Sequence, residues 1–278
     1  SVSLAVATAG LVTAAVVLYC ISSCVSGAVS GSFYHQQAGR SWIRTALLTA
    51  CLFPGVVAGV GFSLDAVAMA YGSQSSIPLS TLAVLVVLWF AVAFPLTMFG
   101  SMIGRHVGPF RDPPPCKVNL VPRAVQPASH WYMDVRFHML AAGALPFGSM
   151  FIEMYYLFSS FWHYQYYYMF GFLAVIFANV MLVCSCMTVL LVYIHLNREE
   201  HRWWWPAFLC PASTGIYVFL YSVYYFKHLT LMHGFLQTAF FFGYMLLASV
   251  SVGLLCGACG FTAAYVFVRY IFRNVKLD

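Results

Sequence analysis

Apolar residues run along this chain in seven long blocks, near 2–28, 43–70, 79–103, 135–160, 167–196, 206–226 and 234–268, with short polar connections and one long one between them. Each block reaches or exceeds the roughly 20 residues that an α-helix needs to cross a hydrocarbon core of about 30 Å. Strands of a membrane barrel would alternate apolar and polar positions over about ten residues, and these blocks do not. In lipid every backbone N–H and C=O must be satisfied within the protein, which a continuous helix does alone. The pattern therefore predicts an all-α fold, a polytopic membrane helix bundle of about seven transmembrane helices. Blocks longer than 20 residues fit tilted helices or ends that protrude among the headgroups.

Composition excludes the main alternative. Of 278 residues, 62% are hydrophobic and 7% charged, against about 25% charged in an ordinary soluble domain. The bilayer is thus the first partner implied. The opening block starts at Ser1 and is too long for the apolar core of a cleaved signal peptide. It reads as a span, and with no initiator Met the chain is expected to be the C-terminal part of a longer protein.

Charge sets an expected orientation. Arg40 and Arg44 flank the first connection; Arg105, Arg111, Lys117, Arg123 and Arg136 lie in or beside the third; Arg198 and Arg202 lie in the fifth; Arg269, Arg273 and Lys276 follow the last span. Only Lys227 falls on the other side, and the connections at 71–78 and 160–166 carry no Lys or Arg. The positive-inside rule places the odd connections and the C-terminal tail, 269–278, in the cytosol. The net charge of +6 is accounted for by topology and calls for no nucleic acid. Trp162, Tyr164, Tyr166, Tyr167 and Tyr168 on one side, and Trp203, Trp204 and Trp205 on the other, read as interfacial anchors. The long connection, 105–133, holds six of the twelve prolines, so extended chain along the cytosolic membrane surface is expected.

Candidate chemistry is sparse. Cys20, Cys24, Cys51, Cys184, Cys186, Cys210, Cys256 and Cys259 fall in or beside apolar blocks and read as small apolar fillers. The Cys256–Cys259 pair lacks the polar surroundings of a metal or redox site. No HExxH, GxSxG or nucleotide-binding glycine loop occurs, so neither a cofactor nor an enzymatic activity is expected. Two acids lie inside spans, Asp65 and Glu153, both past the midpoint on the side away from the basic residues. Intramembrane acids pair, face the bundle interior or become neutral. Glu153 follows Pro146 in GALPFGSMFIEM, where Gly143, Pro146 and Gly148 weaken the helix and free carbonyls. The site reads either as an ion- or proton-coupling group or as a neutral acid bonded to a neighbouring helix, with His138, Asn179, His195 and Gln237 as available partners. Close helix contacts are expected at Gly55 and Gly59, and at Gly253, Gly257 and Gly260 on a central last span.

Several stretches, in this order, resemble the transmembrane 9 superfamily, the nonaspanins or endomembrane protein 70 family. They are LFPG with Pro54 and Gly55, Ser75-Ser76-Ile77-Pro78, Trp89-Phe90 leading to Pro95-Leu96, Asn119 with Pro122-Arg123, and Trp131-Tyr132-Met133. ALPFGSMFIEMYY at 144–156 follows, then Tyr166 to Tyr168 with Phe170-Gly171-Phe172, Arg202 with the three tryptophans, Phe242-Gly243-Tyr244 and the ending FVRYIFRNVKLD. The resemblance covers nearly the whole chain. It departs at Asp65, where the family more often has Asn, and in VPRAVQP.

The resemblance implies that these are the last seven of nine spans, forming the nonaspanin transmembrane domain over 1–278, with a lumenal N-terminal domain and two spans outside this sequence. It further implies a Golgi and endosomal protein that sorts other membrane proteins to the surface. Lys276 and Asp278 match the family's coatomer-binding ending. Gly253, Gly257 and Gly260 would line a groove for glycine-rich client helices. The alternative is a transporter or channel using Glu153, with Pro146 marking a broken helix.

Overall fold

The computed structural model describes residues 2–36, 39, 41–72, 79–107, 135–162, 166–230 and 234–274. Within these, the side chains of 2–9, 11–12, 79, 135–136, 152–154, 156–162, 166–170, 172 and 274 lie outside the description. The described residues form helices and no strands: α1 Val2–Gln36, α2 Trp42–Ala70, α3 Leu79–Leu88, α4 Phe94–Val107, α5 Val135–Trp162, α6 Tyr166–Asn197, α7 Trp204–Ala212, α8 Thr214–Leu229 and α9 Phe235–Asn274. A π-helical segment, Trp89–Ala93, joins α3 to α4. Among the described residues six stretches are long and apolar enough to cross a membrane, and a shorter apolar stretch, Phe137–Phe151, lies in α5. Exposed Leu18, Leu48, Leu52, Phe90, Leu182 and Tyr270 present the apolar outer surface that a lipid-facing bundle needs.

The third and sixth apolar blocks are each one crossing made of two helices. In the third, Pro95 has no N–H to give the helix, and the π-helical segment ends at Ala93, two residues before it, with the Phe94 N–H reaching back to the Trp89 carbonyl. A π-turn of this kind absorbs an extra residue without ending the helix. In the sixth, Pro211 withholds its N–H just before the junction at Ser213, and the chain restarts with a tighter Ile216 N–H to Ser213 C=O bond of 2.9 Å.

The chain divides into two compact units, Ser1–Pro114 and Pro115–Asp278. In the first, α1 and α4 pack along their length and α2 lies against both. Its buried residues are mostly small: Ala46, Ala50, Ala68, Ala93, Thr97 and Ser101. In the second, α9 packs on α6, α7 and α8, around a core that includes Met150, Ile176, Val180, Cys184, Tyr221, Tyr225, Phe241 and Cys256.

Candidate functional site

Glycine patterning decides where helices approach one another. Gly27 and Gly31 of α1 face Gly100 and Gly104 of α4, and each glycine lies against backbone. A Cβ at Gly27 would land on the Thr97 carbonyl, at Gly31 on that of Ser101, at Gly100 on that of Cys24 and at Gly104 on that of Ala28. Two GxxxG faces therefore interlock reciprocally. Small residues permit this approach, and polar side chains add to it. The Ser32 hydroxyl lies 2.8 Å from the Ala28 carbonyl and 3.0 Å from that of Gly104, and the Trp42 indole donates to Ser101 Oγ at 2.9 Å. Sequence reasoning missed this pairing, although both GxxxG motifs stand in the sequence.

Gly55 and Gly59 on α2 behave in the opposite way. They were expected to mark a close helix contact, yet a Cβ at either would meet nothing within 4 Å. The face around them, with Leu52 and Phe53, is exposed.

Gly253, Gly257 and Gly260 of α9 face inward. A Cβ at Gly253 would stand 2.9 Å from the Ala212 carbonyl, at Gly257 2.9 Å from the Phe208 ring, and at Gly260 2.5 Å from Pro211 Cγ and 2.6 Å from Thr188 Oγ1. The groove these glycines line is filled by α6, α7 and the α7–α8 junction. Gly143 of α5 meets the same junction at Ser213 and Thr214. There the Ser213 hydroxyl is 2.5 Å from the Met139 carbonyl and 2.6 Å from that of Cys210, and Tyr217 donates to Leu140 O at 2.9 Å.

The intramembrane polar residues are spread over both units. Asp65 is buried on α2. Pro146 is buried inside α5, with Ser149 Oγ donating to its carbonyl at 2.8 Å. The Glu153 side chain lies outside the description, and only its place on α5 is given. Asn179 of α6 donates to the Ser149 carbonyl at 3.1 Å, one helical turn before Glu153. Gln237 is exposed. His195 is fully buried. Its Nδ1 lies 2.7 Å from the Glu200 carboxylate, which Arg198 approaches at 3.9 Å, and its ring stands edge-on to His138 at 5.5 Å.

The His195–Glu200 contact clasps the end of α6. The His195 carbonyl accepts from the Arg198 and Glu200 N–H groups at 3.2 and 3.1 Å, and Glu199 between them takes φ 57°. That left-handed conformation normally falls to Gly or Asn at a helix C-terminus, so a neighbouring contact is needed to hold a Glu there. Among the described residues no group of three or more His, Cys, Asp or Glu could hold a metal ion. Cys184, Cys210, Cys256 and Cys259 are buried and unbridged, as fillers would be. Lys276 and Asp278 lie outside the described residues.

Comparison with known proteins agrees with the residue pattern. The profile of the endomembrane protein 70 family matches residues 3–235. The chain is 38% identical over 272 residues to Transmembrane 9 superfamily member 10 of Arabidopsis thaliana, covering 97% of this chain and 42% of that protein. It is 39% identical over 268 residues to member 2 of the same plant, covering 96% of this chain and 45% of that protein. It is 37% identical over 268 residues to member 4 of Homo sapiens, covering 96% and 41%. The chain thus spans less than half the length of these relatives. No solved structure matches it.

Proposed function

Because the chain belongs to the endomembrane protein 70, or transmembrane 9, family of multi-pass membrane proteins, we propose that it is the membrane part of a Golgi and endosomal sorting protein. In this reading it brings other membrane proteins to the cell surface by holding their glycine-rich transmembrane helices. The odd connections and the C-terminal tail face the cytosol, where Lys276 and Asp278 recruit coatomer.

The observation that carries the reading is the open face of α2, where Gly55 and Gly59 stand one helical turn apart with nothing within 4 Å of an added Cβ. In lipid, helix association rests on close van der Waals packing and weak hydrogen bonds, both of which require small residues on the facing sides. The α1–α4 pair closes on itself through two such faces. A client helix with its own small-residue face would dock on α2 by the same geometry. The α9 glycines are a less accessible docking place, since α7 already fills their groove. A photocrosslinker at Val56 of the full-length protein should capture glycine-rich client spans, and Gly55→Leu with Gly59→Leu should abolish capture. Capture unchanged by the double substitution would sink the α2 reading.

A second reading, a proton- or ion-coupled transporter, draws on the buried Pro146 and on Asn179 bonded one turn before Glu153, an arrangement of freed backbone and polar side chains suited to a midplane site. It requires flux in liposomes that Glu153→Gln removes.

A further inference from the structure

Between α6 and α9 an open groove of about 610 Å³ is lined by Met181, Ser185 and Val189 on one side and by Cys259, Ala263 and Val266 on the other, with Thr262, Phe267 and Tyr270 completing it. Ser185, Cys259 and Thr262 turn their polar atoms back on the helices, and Tyr270 adds an exposed phenol. Ser185 Oγ is 2.6 Å from the Met181 carbonyl, Cys259 Sγ 3.4 Å from the same carbonyl, and Thr262 Oγ1 3.0 and 2.8 Å from those of Ala258 and Cys259. The Ser185 and Thr262 hydroxyls and the Cys259 thiol are therefore directed to carbonyls, and apart from the Tyr270 phenol the groove offers an occupant chiefly apolar contact. That suits a hydrocarbon and not an ion, sugar or peptide backbone.

Dimensions narrow the occupant further. From Cys259 to Tyr270 the groove runs about 16 Å along α9 at 1.5 Å per residue, close to the ~15 Å depth of one leaflet of a 30 Å core. An extended acyl chain of one leaflet's depth matches that length and lining.

Charge fixes the head. The groove-facing positions of α9 recur at 259, 263, 266 and 270, and the next step of that stripe is Arg273, exposed at the helix end. Tyr270, also exposed, stands between the apolar trough and this cation, at the depth where an amphipathic ring settles at a membrane interface. We propose that the α6–α9 groove holds an acyl chain of an anionic glycerophospholipid whose phosphate is met by Arg273. Arginine presents a planar set of donors matched to phosphate oxygens, and anionic lipid is concentrated in the leaflet that basic ends face.

The test uses the full-length protein in nanodiscs doped with phosphatidic acid or phosphatidylcholine carrying the same diazirine-labelled acyl chain, with labelled peptides mapped by mass spectrometry. Labelling is expected to concentrate on the peptides that contain Val189 and Val266, about fivefold more with phosphatidic acid, the worth of one arginine beside an anionic headgroup. Arg273→Gln should equalise the two lipids, and Ala263→Trp, which fills the trough, should remove the groove label for both. Labels spread evenly over the outward faces of α2 and α6, or a pattern insensitive to Ala263→Trp, would overturn the proposal. Groove labelling with no lipid preference in the native protein would overturn the assigned headgroup.

Discussion

Replacing Gly104 with alanine adds one methyl group to α4, and the structure states where it must go: onto the Ala28 carbonyl and Cα of α1. Backbone is the neighbour, so no side chain can swing aside, and α1 and α4 must separate along their shared length. Overpacking of this kind costs about 1–3 kcal/mol. Separation also weakens the Ser32 hydroxyl's contact with the Gly104 carbonyl, and such bonds average about 0.6 kcal/mol between membrane helices. The gain in helix propensity from Gly to Ala returns about 1 kcal/mol. Net destabilisation of about 0.5–2.5 kcal/mol follows from these central values. Gly55→Ala supplies the control, because it makes the same chemical change where nothing lies within 4 Å. There only the propensity gain remains, so it should be neutral or stabilising by up to about 1 kcal/mol. Thermal unfolding of the purified full-length protein, followed by loss of the monodisperse peak in size-exclusion chromatography, reads both variants against the native chain. Equal effects of the two substitutions, or a stabilised Gly104→Ala, would refute the interlocked α1–α4 faces.

Other consequences are as direct. Ser213→Ala removes the hydroxyl that ties the α7–α8 junction to the Met139 carbonyl of α5, and should cost about 1 kcal/mol in the same unfolding assay; no change would show the junction held by packing alone. His195→Ala strips the buried partner from Glu200 and leaves Glu199 in a left-handed conformation with less to hold it. Trypsin should then cleave the turn at Arg198 and Arg202 faster than in the native protein, and an unchanged rate would contradict the clasp. Gly260→Leu drives a side chain into Pro211 and Thr188 and should lower stability by several kcal/mol, whereas an unaffected melting profile would show that α7 does not fill the α9 groove.

The crossings were legible because lipid imposes a blunt rule: twenty apolar residues with every backbone group bonded internally. The block at 206–226 thus anticipates Trp204–Leu229, and 234–268 anticipates most of Phe235–Asn274. What hydropathy does not encode is which face of a helix meets which neighbour. Gly55–Gly59 and Gly27–Gly31 are the same motif in sequence, but one is open and the other interlocked, because that outcome depends on the partner at Gly100 and Gly104. His195 was one of four available partners for an intramembrane acid, and its Nδ1 lies against Glu200 in the following turn, a contact set by the local path of five residues. The break at Ser213 was hidden inside an unbroken apolar run, although Pro211 stood as its signal.

The central claim, that an open glycine face on α2 receives client helices for sorting, is tested most directly by quantitative surface proteomics of cells lacking the full-length protein. These are rescued with the native chain or with the Gly55→Leu, Gly59→Leu variant, expression and folding being matched. The account predicts selective surface loss of proteins with glycine-rich spans, restored by the native chain and not by the variant. A surface proteome unchanged by loss of the protein would contradict the sorting role, and full rescue by the variant would contradict the α2 face as its seat.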